Sequence, residues 1–238
     1  MIDLQILNRS PFDATIGYAA LVGVVDSGTL LLPGEAAVAP RGMSLSRRLT
    51  FDLGRGAAHA AMARLGRPVE PVLRAPRGTP LWPVGLVGTI SHTVVVDAGL
   101  VEAVYAVAAV ADAARYTGLG LDIERVRPMS PAVLERIASP DEVAWVNDSA
   151  VLLEERSIAV FAAREALYKA VSPGYGSPMR YAETTLVWDG MKGGFRATTW
   201  LPADPHRAYL ESFVSIDVRA GCVLAAVALP SGRGTLTD

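Results

Sequence analysis

Lysine is nearly missing from this 238-residue chain: of 22 basic residues, only Lys169 and Lys192 are lysine. A sequence that writes arginine almost everywhere keeps a compact, flexible ammonium at these two positions. Cysteine is scarcer still. The single Cys222 lies in the apolar run CVLAAVAL and has no internal partner for a disulfide, so a reducing cytoplasm is the expected compartment. The first residues, MIDLQIL, carry no basic leader, and no stretch approaches about 18 uninterrupted apolar residues. Neither secretion nor membrane insertion is expected. A formal net charge of −2 excludes a broad nucleic-acid footprint.

What is present is a globular composition. With 51% hydrophobic residues and no low-complexity tract, the chain is long enough for one large domain or two small ones with a proper core. Charge is uneven along it. Between Arg41 and Arg77, eight arginines face only Asp52 and Glu70, a local net of +6. Such a patch suits a phosphate-rich ligand or an acidic partner, against the alternative of an ordinary solvated basic surface.

Apolar stretches broken by Gly and Pro predict two or three strands in the first 40 residues, followed by a helix from Ser44 to Leu65 closed by Gly66 and Pro68. The segment VLRAPRGTPLWPVGLVGTISHT reads as a long surface loop entering a short strand, and AVYAVAAV as a further strand. GLGLDIERV is a short strand entered through Gly118 and Gly120. Ser130 before Pro131, and Ser139-Pro-Asp-Glu142, are helix starts, the second a capping box that gives Glu142 a sufficient structural role. A long helix from about Leu153 to Val171, stopped by Pro173, precedes the strands TTLVWD, FRATTWL, FVSIDV and CVLAAVAL. A faint repeat relates Phe51, Arg55 and Ala58 to Phe161, Arg164 and Ala166, which suits two similar α/β (α+β) subdomains, 1–118 and 119–238.

The chemistry concentrates late in the chain. Asp122 and Glu124 are two apart in a strand, so they project from one face while Ile123 points to the other. Glu165, in FAAREALYKAVSP, supplies a third carboxylate, with Lys169 one turn further on; the flanking Phe161, Ala162 and Tyr168 do not read as a solvated helix face. Three carboxylates converging at ~4 Å repel by about 4 kcal/mol per pair at an effective dielectric near 20, so they are protonated or need a cation. Oxygen-only donors suit a hard ion such as Mg²⁺, which completes its shell with waters and substrate phosphates. Ser91 and His92 are adjacent in sequence and so point to opposite strand faces, which excludes a nucleophile–base pair; His92 reads as a phosphate donor or a structural histidine. Gly54-x-Gly56 is not a dinucleotide fingerprint, because His59 stands at its third position and no strand leads into it.

Four motifs in order, RRLTFDLGRGAAHAAMARLG (47–66), GTPLWPVGLVGTISHT (78–93), GLDIE (120–124) and FAAREALYKA (161–170), resemble the 4′-phosphopantetheinyl transferases. The resemblance is to the longer, monomeric class that serves siderophore, nonribosomal peptide and polyketide assembly, and it covers about half the chain. It implies a pseudo-two-fold pair of subdomains with coenzyme A between them. The implied activity transfers the phosphopantetheine arm of coenzyme A to a serine of an acyl or peptidyl carrier protein, or of a carrier domain, and releases adenosine 3′,5′-bisphosphate.

By motif, Asp122, Glu124 and Glu165 resemble the Mg²⁺ ligands, with Mn²⁺ as a substitute ion. Glu165 also resembles the base, acting with Asp122 and Lys169, and Lys169 the phosphate-binding lysine. Arg47, Arg55, Arg74 and His92 resemble the contacts to the nucleotide and its 3′-phosphate, with Arg48 and Arg77 as near alternatives and Ser91 beside His92. The family usually has serine and lysine where this chain has Ala162 and Arg164; Arg164 keeps a charge for phosphate but not the lysine geometry. A cytoplasmic monomer in secondary metabolism is the implied setting. Two other readings stand beside this one: a silent relative that binds coenzyme A or a carrier without transfer, and a Mg²⁺-dependent phosphohydrolase in which water replaces the serine.

Overall fold

The computed structural model describes residues 4–24, 29–39, 42–76, 78–97, 100–175, 180–201 and 209–232. The chain divides into two compact units, Met1–Arg115 and Tyr116–Asp238. Among the described residues, no helix is long and apolar enough to cross a membrane.

The first unit lays one long helix on a three-stranded antiparallel sheet. Helices α1 (Leu4–Leu7) and α2 (Pro33–Val38) flank strand β1 (Gly17–Gly23); α3 (Leu45–Arg64), the short hairpin β2 (Leu73–Arg74) and β3 (Pro80–Leu81), and strands β4 (Leu86–Asp97) and β5 (Leu100–Asp112) follow. Sheet order is β1-β5-β4. Ser44 caps α3 by accepting from the Arg47 amide at 3.4 Å, and Gly66, with φ of +75°, ends it. Leu49, Leu53, Ala57, Ala61 and Met62 of α3 pack on Ala19, Val104, Ala106, Ala108 and Val110. Glu35 is fully buried, yet it is satisfied by His59 Nε2 at 2.8 Å and by the amides of Leu32 at 2.9 Å and Val72 at 2.7 Å. His59, which carries no functional assignment, is therefore a structural partner.

Two expectations are corrected here. Among the described residues, the first 40 hold one strand rather than two or three, because the apolar run before Val38 forms α2, with Glu35 bonding back to Leu32 as in a capping box. The stretch expected as a long loop instead forms the β2–β3 hairpin and the 12-residue β4.

The second unit repeats the plan with a larger sheet. Strand β6 (Tyr116–Arg125) leads to α4 (Pro131–Ile137), α5 (Pro140–Asn147) and α6 (Leu153–Tyr175), then β7 (Thr184–Asp189), β8 (Gly194–Trp200), β9 (Tyr209–Arg219) and β10 (Cys222–Pro230). The sheet is antiparallel throughout, in the order β6-β10-β9-β8-β7. Ser130 and Ser139 cap α4 and α5 as their positions predict, the second through a capping box with Glu142. Pro173 does not stop α6, which runs on to Tyr175.

Helix α6 lies unusually close to β6. A Cβ on Gly120 would fall 1.9 Å from the Ala166 carbonyl oxygen, and in the first unit a Cβ on Gly17 would fall 2.1 Å from that of Ala61. Each unit thus seats its long helix on a glycine of an edge strand. Gly120→Ala should destabilise the protein by about 2 kcal/mol or more, because backbone rather than a flexible side chain must yield. Chemical denaturation reads this directly; an unchanged midpoint would mean that the helix does not ride on that glycine.

Candidate active site

The glycine contact determines what stands beside it. Gly118, Gly120, Asp122 and Glu124 alternate along one face of β6, and the first two meet the carbonyls of Ala170 and Ala166. Ala162, Ala166 and Ala170 form a buried row at i, i+4 spacing. Glu165 and Lys169 each precede a member of that row, so they lie half-buried along its flank, level with the polar end of β6.

Lys169 Nζ donates to Asp122 Oδ1 at 2.7 Å and to the Leu121 carbonyl at 2.9 Å. Asp122 is 4% exposed, so this ammonium offsets a buried carboxylate. The Glu124 carboxyl is pushed up to about 7 by burial first and then by Asp122, with Glu165 adding to the rise and Arg127 and Lys169 opposing it. Three carboxylates from β6 and α6 are therefore within electrostatic reach of one another. Glu165 Oε1 accepts a hydrogen bond from the Tyr181 hydroxyl, and burial together with Glu165 raises the Tyr181 pKa so that the phenol stays a donor.

Arg164 takes a different part from the one expected. It is 1% exposed, and its guanidinium donates to Glu142 Oε2 at 2.5 Å, to the Tyr181 carbonyl at 2.5 Å and to the Thr184 carbonyl at 3.1 Å. A side chain so enclosed is not available to phosphate, and its assignment as a coenzyme A contact is withdrawn. Glu142 completes the arrangement by accepting from the amides of Ser139 and Leu186, each at 2.8 Å.

The basic residues of the first unit fall into two groups. Arg47, Arg48 and Arg74 are exposed. Arg48 borders a cavity of about 250 Å³ with Leu31, Ala36, Met43 and Asp52, whose Oδ1 is buried without a hydrogen bond. Arg55, by contrast, is 5% exposed, donates to the Leu73 carbonyl at 3.2 Å and stacks 4.6 Å over Phe51. Its Nε is buried without a hydrogen-bond partner, so the guanidinium is largely enclosed by the fold. Ser91 and Thr93 of β4 are buried while His92 between them is exposed, in line with their opposite faces. Arg77 lies outside the described residues.

Comparison with known proteins places these residues in a lineage. A profile of the 4′-phosphopantetheinyl transferase N-terminal domain matches residues 35–102, and one of the 4′-phosphopantetheinyl transferase superfamily matches 118–215. The chain is 34% identical over 180 residues to the 4′-phosphopantetheinyl transferase Svp of Streptomyces mobaraensis, covering 74% of this chain and 69% of that one. It belongs to the 4′-phosphopantetheinyl transferase superfamily. Npt of Nocardia iowensis is 36% identical and PptT of Mycobacterium tuberculosis 32%, the matches spanning 60% and 61% of this chain and 60% of each relative. The solved structure of a Thermotoga maritima holo-[acyl-carrier-protein] synthase overlaps at 20% identity with a TM-score of 0.38, over 48% of this chain and 63% of that one. That likeness is too slight to bear on the site.

Within this transferase, the second matched segment contains Asp122, Glu124, Glu165 and Lys169, and the first contains Arg47, Arg48, Arg55, Arg74, Ser91 and His92. The oxygen-only donor set fits a hard divalent cation in kind, and burial first, then Asp122, disfavours the charged form of Glu124. Among the described residues, however, no three His, Cys, Asp or Glu side chains stand gathered as a ready metal cluster. The charge that offsets Asp122 in this structure is the Lys169 ammonium. Two participants, Tyr181 and Arg127, carry no sequence signal: each joins the cluster from a connecting segment rather than from a periodic element.

The raised Glu124 pKa has a testable sign. Its folded-state value of about 7 lies above the ordinary 4.5, so over that window the native state holds a proton that the unfolded chain has released. Stability of metal-free protein should therefore fall as pH rises through this window, and Glu124→Gln should remove that part of the dependence. Parallel pH–stability curves for the two proteins would refute the shift.

Proposed function

We propose that this protein transfers the 4′-phosphopantetheine arm of coenzyme A to the serine hydroxyl of an acyl or peptidyl carrier protein. The electrostatic coupling of Asp122, Glu124 and Glu165, with the Lys169 ammonium on Asp122, supports this reading, because such carboxylates can take up a cation that, with Lys169, answers the charge of a pyrophosphate undergoing displacement. Asp122, Glu124 and Glu165 would hold a Mg²⁺, which when bound neutralises phosphate charge and polarises the attacked phosphoryl group.

The chain's own residues do the rest. Glu165 accepts the serine proton as the oxygen–phosphorus bond forms at the phosphopantetheine phosphate. The bond to the nucleotide phosphate breaks with its electron pair, and adenosine 3′,5′-bisphosphate leaves. Lys169 offsets the charge on the leaving phosphate, and Asp122 orients Lys169 through their 2.7 Å contact. Arg47, Arg48, Arg55 and Arg74, with the exposed His92, bind the nucleotide and its 3′-phosphate, arginine forks matching phosphate oxygens, whereas Ser91, buried on the opposite face of β4, is not placed to join them. Arg77 is assigned with them on sequence alone. The single thiol takes no part: burial pushes Cys222 up to about 11. A monomer in the cytoplasm, acting on the carrier domains of siderophore, peptide or polyketide assembly, is the proposed setting.

Release of adenosine 3′,5′-bisphosphate from coenzyme A and Mg²⁺, with and without an apo carrier protein, tests this reading. Release should require the carrier, and Glu165→Gln should lower the rate at least ~100-fold while melting like the wild type. Release without carrier would instead identify a phosphohydrolase, and none with any carrier a binding protein without transfer. Substantial activity in the variant would remove Glu165 as the base.

A further inference from the structure

We propose that Tyr181 is a positioning residue for Glu165, its hydroxyl fixing the carboxylate that receives the serine proton. This rests on the reading above, in which Glu165 is the base. Glu165 extends from α6 on a side chain with three rotatable bonds, and catalysis asks that its oxygens be held to within about 0.5 Å. The helix fixes only the backbone. The Tyr181 hydroxyl supplies the missing constraint by donating to Oε1.

That hydroxyl is itself held by an unusually determined turn. Tyr181 opens a single 3-10 turn, Tyr181–Glu183, directly before β7. Arg164, the residue preceding Glu165 on α6, grips the turn at both ends through the carbonyls of Tyr181 and Thr184, and its guanidinium lies 5.9 Å from the Tyr181 ring centre. The grip is anchored in turn: Glu142 receives Arg164 on Oε2 and the Leu186 amide of β7 on Oε1. Two consecutive residues of one helix thus meet the same tyrosine, one through its backbone and the other through its hydroxyl. The buried Arg164–Glu142 pair is a costly way to gain stability but an effective way to fix a position. A ring needed only for packing would be served by phenylalanine; a phenol half-buried against a carboxylate has its donor aimed at one acceptor.

Tyr181→Phe keeps the ring and removes the donor. Transfer to an apo carrier should lose about tenfold in kcat, the scale of a slightly misplaced catalytic group, with KM for coenzyme A within about twofold and an unchanged melting temperature. Binding of Mn²⁺ in the absence of substrate, followed by the paramagnetic resonance of the free ion, should weaken about threefold in Tyr181→Phe, and adding that change to Glu165→Gln should have no further effect. A kcat within twofold of wild type, or an equal weakening of Mn²⁺ binding in the Glu165→Gln background, would overturn the positioning role. An active Glu165→Gln would instead overturn the assignment of the base, so the two failures are distinguishable.

Discussion

Negative charge crowded on one face of β6 is the constraint around which the second unit is built. Asp122 and Glu124 are brought to that face by strand periodicity, and α6 is drawn against it by glycines that leave no room for a side chain. Glu165 then adds a third carboxylate. Burial, with Asp122 beside it, pushes the Glu124 carboxyl up to about 7. The fold answers with Lys169 on Asp122, one of only two lysines in the chain.

A second, deeper pair supports the first. Arg164 and Glu142 are each about 2% exposed at the side chain, and between them they tie α5, α6 and β7 together. Neither faces the carboxylate cluster as a ligand. Their contribution is to fix the turn that carries Tyr181, so the helix residue next to Glu165 sets the geometry around Glu165. Arg164 and Glu165 are adjacent on the 23-residue α6, the first buried against Glu142 and the second meeting the Tyr181 hydroxyl.

Much of this was legible in the sequence because it depends on local rules. Serine caps before Pro131 and Pro140 mark helix starts, and a period of two puts Asp122 and Glu124 together. Other features depend on burial and distant pairing, which spacing does not encode. Arg164 reads as a phosphate contact by charge and motif position, yet the Glu142 carboxylate that claims it stands 22 residues earlier. Tyr181 is invisible because its partner lies 16 residues back, across a connecting segment without a periodic signature. LLLPGEAAV is apolar enough for a strand, but Pro33 and the Glu35 capping contact decide for a helix. Among the arginines, composition locates the basic segment, but only the structure separates the exposed Arg47, Arg48 and Arg74 from the largely enclosed Arg55.

On the proposed reading, the β6–α6 carboxylates and Lys169 serve transfer of a phosphopantetheine arm onto a carrier serine. Intact-protein mass spectrometry of an apo carrier, incubated with this protein, coenzyme A and Mg²⁺ and with chelator in a parallel tube, tests it most directly. The carrier should gain about 340 Da, one phosphopantetheine, and the gain should be lost on chelation. An unchanged carrier mass across acyl and peptidyl carrier types would contradict it.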